Sequence, residues 1–133
     1  MLETDPEVLA AFVEEASERI VALESGLLEL ERTARAPQAD LLNAVFRDAH
    51  SIKAGANLLH FSTLETAAHK LENVLDSLRK GQLSAREDVT QALFDGVDLL
   101  RKLLDSPGAP APTDYQECLS KLGELAKRRA GIT

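Results

Sequence analysis

The segment Ala49-His50-Ser51-Ile52-Lys53-Ala54-Gly55-Ala56 carries the residues best suited to chemistry. It sets a histidine on a helical stretch, a lysine three positions later, and small residues just beyond. At about 100° per residue, Leu42, Val45, Ala49, Ile52, Ala56 and Leu59 share one apolar face. His50 then lies roughly 130° from the centre of that face and points towards water. Lys53 falls between His50 and the core, one turn along. An exposed imidazole beside an ammonium, with little bulk around it, suits a nucleophile that takes up a phosphoryl group and hands it on to another protein.

The following helical stretch offers a partner for that ring. Measured from an apolar centre near Leu71, the residues Glu65, His69, Glu72 and Asp76 fall at roughly 100–160°. Glu72 is nearest the edge of the core stripe. In an antiparallel hairpin it reaches His50 from the side, and a carboxylate accepting the proton on Nδ1 leaves the Nε2 lone pair free. Such a glutamate raises nucleophilicity without taking part in bond chemistry. The plain alternative is that an acidic stripe is a solvated face and an exposed histidine idle, which is how His60 beside Phe61 is read. No metal is expected. Carboxylate–histidine sites in bundles need Glu-x-x-His motifs pointing inward from facing helices, whereas Glu65-x-x-x-His69 and His69-x-x-Glu72 point outward.

Composition dictates what positions these groups. Aromatic residues make up only 4% of the 133 and Trp is absent, so the Leu- and Ala-rich chain favours helices over sheets. A net charge of −7 and a pI near 4.9 exclude a phosphate-tracking nucleic-acid binder. Cys118 shares helical spacing with Tyr115, Leu119, Leu122 and Leu125, which predicts a small buried core residue in a reducing cytosol. There is no G-x-x-x-x-G-K loop, so the chain is not expected to bind ATP itself. Neither a signal peptide nor a membrane-length apolar run is present, and a cytoplasmic protein is expected.

Five amphipathic segments follow. Thr4-Asp5-Pro6-Glu7 caps the first, whose Leu9, Phe12, Ala16, Ile20, Leu23, Leu27 and Leu30 run to about Thr33. Ala36-Pro37 breaks the chain and starts the second, to about His60. Capping boxes at Ser62-Thr63-Leu64-Glu65 and Ser84-Ala85-Arg86-Glu87 open the third and fourth, with Gly81 stopping the third. Thr113 or Asp114 caps a fifth ending near Arg128. The expected fold is all-α: an up-down-up-down antiparallel four-helix bundle over 1–106, a Pro-rich linker at 107–112, and an additional C-terminal helix in 113–133 that packs on the bundle or leads to further domains.

Taken together, these residues resemble a known family. Ala49-His50-Ser51-Ile52-Lys53-Ala54-Gly55-Ala56 is similar to the phosphorylation motif of histidine phosphotransfer (HPt) domains, most closely the amino-terminal HPt domain of CheA-type chemotaxis histidine kinases. Phe12-Val13-Glu14-Glu15-Ala16, Leu42-Asn43-Ala44-Val45-Phe46-Arg47 and His69-x-x-Glu72-Asn73-x-Leu75-Asp76 extend the likeness over most of the chain. The resemblance implies that His50 is phosphorylated on Nε2 by a separate ATP-binding kinase domain, of the same or a partner subunit. The phosphoryl group then passes to an aspartate of a response-regulator receiver domain. Glu72 corresponds to the glutamate that orients the imidazole, and Lys53 and His69 match its supporting polar residues.

Lys53, at i+3, is placed to meet the equatorial phosphoryl oxygens. Arg47, Ala54 and Leu58 are candidate partner contacts, the last two forming an apolar floor for a receiver helix. The domain itself is expected to be monomeric, to bind no cofactor and to lack autonomous kinase activity. The chain is expected to be either a free-standing carrier or, as the proline-rich linker and the basic Lys127-Arg128-Arg129 favour, a piece of a larger kinase. Two positions depart from the family pattern: Ala54 and His60 both stand where glycine is usual. The competing reading is a non-catalytic interaction bundle whose partner binding ignores His50.

Overall fold

Leucine and alanine repeating at steps of three and four produce five helices in a computed structural model that describes residues 5–33 and 39–128. They are α1 (Pro6–Arg32), α2 (Ala39–Leu58), α3 (Ser62–Arg79), α4 (Glu87–Asp105) and α5 (Tyr115–Lys127). Helix α1 packs on α2 and α4, α2 on α3, and α3 on α4, closing a four-helix ring. Short connections between consecutive helices make neighbours antiparallel. Leu23, Leu27, Leu71, Leu75, Leu93 and Leu100 fill the interior and are fully buried.

The fifth helix lies on the seam between α3 and α4. It buries Tyr115, Leu119, Leu122 and Leu125, each worth about 2 kcal/mol of apolar transfer. Two polar contacts fix its register on α3: the Tyr115 hydroxyl donates to the Thr63 carbonyl at 3.1 Å, and the Ser77 hydroxyl to that of Ala126 at 3.3 Å. Cys118 departs from expectation. It is half-buried at the edge of the core, because its position on α5 faces the rim of the α4–α5 groove. Burial, with Asp95 and Asp114 nearby, pushes its thiol upward, which disfavours the thiolate.

Helix boundaries follow local chemistry with instructive exceptions. The Asp5 carboxylate accepts the Glu7 N–H at 2.8 Å, with Pro6 in the first turn. Neither expected capping box forms. Phe61 is the N-cap of α3 because the turn from α2 is so tight that Ser62 is already helical, and Glu65 accepts from the Asn57 amide instead. At α4 the cap is Arg86, two residues beyond Ser84. Thr4, the Ala36-Pro37 break and Arg129 lie outside the described residues.

Two close approaches bring α1 against α2. A Cβ on Gly26 would collide with Val45, and one on Gly55 would sit 2.7 Å from the Phe12 ring. Gly55 is thus small to seat Phe12 against α2, and not to clear space beside His50. Among the described residues, no helix is long and apolar enough to cross a membrane.

Candidate functional site

Helices α2 and α3 form the most extensive pair in the bundle, joined by a turn of only three residues. The chain reverses there through a left-handed residue, His60, at φ 63°. Its N–H bonds the Asn57 carbonyl and that of Phe61 bonds Ala56, closing the end of α2. Gly81 does the same for α3, with its own N–H on Leu78 and that of Gln82 on Ser77. The hairpin so defined lays Glu72 of α3 beside His50 of α2.

His50 has its side chain 55% exposed, while Glu72 is only 7% exposed as a residue. The sequence placed Glu72 on a solvated stripe. In the structure it lies in the α2–α3 seam with both oxygens engaged. Oε2 lies 2.5 Å from His50 Nδ1, and Oε1 accepts from Lys53 Nζ at 2.7 Å. An ionised carboxylate can only accept, so the ring nitrogen facing it carries the proton and Nε2 holds an outward lone pair.

Burial is the largest influence on the Glu72 carboxyl and pushes it up. Hydrogen bonds from Lys53 and His50, with the charges of both, outweigh that and hold it below the usual glutamate range. The carboxylate is therefore ionised at neutral pH despite its burial. Lys53 lies, as its place between His50 and the core implies, only partly exposed. Its side chain is 24% exposed, and its ammonium is committed to Glu72 because its position, between the His50 face and the core, points along the seam.

The remaining sequence candidates separate into two groups. Arg47, Ala54 and Leu58 are exposed on the same stripe of α2 as His50, at i−3, i+4 and i+8, with Leu58 76% exposed. His69 is exposed on α3, one turn before Glu72. Among the described residues no hydrogen bond joins it to His50, Lys53 or Glu72.

Two features were missed from sequence. Phe46, one turn before His50, lies nearly parallel to the imidazole at 15° with centroids 6.2 Å apart, and the Arg79 guanidinium sits 3.9 Å from the Phe46 ring centre. The i, i+4 spacing of Phe46 and His50 was the available signal. Asp48 is buried on the opposite flank of α2, its carboxylate 3.4 Å from Arg19 of α1. Its place among apolar core positions gave no sign of a partner 29 residues away.

Comparison with known proteins matches residues 7–106 to the family described as Hpt domain. The chemotaxis protein CheA of Salmonella typhimurium is 33% identical over 125 residues, covering 92% of this chain and 18% of that protein. The chain therefore spans about a fifth of the length of that relative. Among solved structures, the CheA phosphotransferase domain from Thermotoga maritima superposes with a TM-score of 0.71 at 33% identity, over 77% of this chain and 96% of that one. The phosphorylated P1 domain of CheA3 in complex with CheY6 from R. sphaeroides gives 0.77 over 90% and 95%, and at 21% identity shows the shared fold alone. A bundle of this shape, with the matched segment running from α1 to the end of α4, makes the conclusion direct: the chain belongs to the Hpt domain family.

Proposed function

We propose that this chain is a phosphotransfer module of a CheA-type signalling kinase, in which His50 takes a phosphoryl group from ATP held by a separate kinase domain and gives it to a receiver aspartate. The observation that carries the reading is the His50–Glu72 contact, which leaves a protonated Nδ1 inside and a free Nε2 outside. The Nε2 lone pair attacks the γ-phosphorus as the bond to the ADP oxygen breaks. The ring gains positive charge as the P–N bond forms, and the adjoining Glu72 carboxylate offsets it. In the second step a receiver carboxylate oxygen attacks phosphorus, and the P–N electron pair returns to Nε2.

Lys53 fixes the second oxygen of Glu72 and adds positive charge one turn from the incoming phosphoryl oxygens. His69 adds a polar group at the edge of the same face. The exposed stripe of Arg47, Ala54 and Leu58 is the surface on which kinase and receiver alternate, a small and exchangeable contact. Support for a receiver partner comes from the CheA3–CheY6 complex of similar fold. The family likeness supports a cytoplasmic, bacterial setting.

The test is incubation with radiolabelled ATP and an active CheA-type kinase core. The chain acquires acid-labile, base-stable label, as a phosphoramidate must, and His50→Gln acquires none. Label retained on His50→Gln, or absent from the unaltered chain, refutes the assignment.

A further inference from the structure

The Cβ tether and a single hydrogen bond at Nδ1 set the mean orientation of the His50 ring but leave it to librate within the tolerance of that bond. Phe46 is placed to limit this freedom. It lies one turn earlier on α2, and its ring is inclined only 15° to the imidazole at a centroid distance of 6.2 Å, within the range of offset aromatic pairs. Phe46 is itself held by the Arg79 guanidinium, which lies over its ring 3.9 Å from the centroid. Arg79 in turn donates to the Asp76 carboxylate at 2.6 Å.

We infer that Asp76, Arg79 and Phe46 form a positioning column for the reactive ring, clamping its face while Glu72 holds its edge. Glu72 and Arg79 stand seven residues apart on α3, two turns along one face, so a single helix grips the His50 side chain in two directions. Phe46 is only partly buried and packs against the core. Phe46 and Arg79 are positioning residues, since neither touches the transferred group. This inference rests on the phosphotransfer reading above and adds to it the means by which Nε2 is aimed.

The experiment compares Phe46→Ala, Phe46→Tyr and Arg79→Ala with the unaltered chain. It measures phosphorylation by a kinase core and the order of the His50 ring by carbon relaxation at Cδ2 and Cε1. Phe46→Ala lowers kcat about fivefold with KM nearly unchanged, and lowers ring order. Phe46→Tyr restores both. Arg79→Ala, on the surface, moves both in the same direction by about twofold, and decides the matter alone if Phe46→Ala does not fold. Full phosphorylation rates in the alanine variants, or slower rates with His50 ring order unchanged, overturn the inference. Were the unaltered chain to take no label, the phosphotransfer reading would fail, while ring order would still test the column.

Discussion

Two buried carboxylates flank α2, and they are held in opposite ways. Glu72 enters from α3 and spends one oxygen on His50 at 2.5 Å and the other on Lys53 at 2.7 Å. Asp48 belongs to α2 itself, faces α1, and has a single long contact of 3.4 Å to Arg19. For Asp48 burial dominates and the carboxyl is pushed above its ordinary range, with Arg19 and Arg47 opposing only partly. For Glu72 the two donors win and the carboxyl is lowered. Burial alone therefore does not make a carboxylate functional. The difference lies in whether each oxygen meets a donor at short range.

Substitutions sharpen this contrast, beginning with the largest effect. Glu72→Ala slows phosphorylation of His50 about 10- to 100-fold, the usual cost of losing a carboxylate that orients a reactive imidazole. A rate within twofold of normal would remove Glu72 from the site. Lys53→Ala costs less, about three- to tenfold, because Glu72 keeps its bond to His50. The same substitution raises the Glu72 carboxyl, which titration followed by NMR detects. Asp48→Asn leaves the phosphorylation rate unchanged, and a substantial loss would show that both flanks of α2 serve the site.

The pH dependence of stability separates the two carboxylates by sign. Glu72, lowered in the fold, contributes stability above its unfolded value near 4.5, and loses it as pH falls through the lower folded value. The stability lost in Glu72→Gln is accordingly present at pH 7 and shrinks as pH falls below the unfolded value and through the lower folded one. Asp48, raised in the fold, behaves conversely. Its contribution is present below an unfolded value near 3.8 and is lost as pH rises through the folded one. Asp48→Asn is thus neutral or stabilising by up to about 1 kcal/mol at pH 7, an advantage that vanishes in acid. Urea unfolding across the range measures both, and parallel curves would contradict the assignment.

A smaller contrast of the same kind lies at the helix ends. Gly81 closes α3 at φ 74° without strain, whereas His60 closes α2 at φ 63° with a side chain that disfavours the conformation. His60→Gly stabilises the chain by about 1 kcal/mol and raises Tm by about 3 °C, with phosphorylation unaffected. No change in melting would mean that the left-handed turn costs His60 nothing.

Legibility from sequence followed the reach of each interaction. Periodic leucines within one helix announced α1 to α5 and the exposed stripe of His50, because such patterns depend on neighbours three and four residues away. Glu72 was identified because the α2–α3 connection is short enough to predict an antiparallel hairpin. Its burial and its bond to Lys53 were not legible, since the edge of a helical face turns inward or outward with the interhelical angle. Asp48 was invisible because its partner lies on another helix. His60 was read as idle, although its departure from the family's glycine pointed at the left-handed turn. The two capping boxes failed in opposite senses: the tight α2–α3 turn has already brought Ser62 into its helix, whereas Ser84 stays outside α4, which starts only after Arg86.

The most direct test of the central claim asks which nitrogen of His50 carries the phosphoryl group. Nitrogen–phosphorus coupling measured on the phosphorylated, ¹⁵N-labelled chain places phosphorus on Nε2, with Nδ1 still protonated and facing Glu72. Phosphorus found on Nδ1 would mean that the carboxylate does not hold that nitrogen, and would contradict the account at its root.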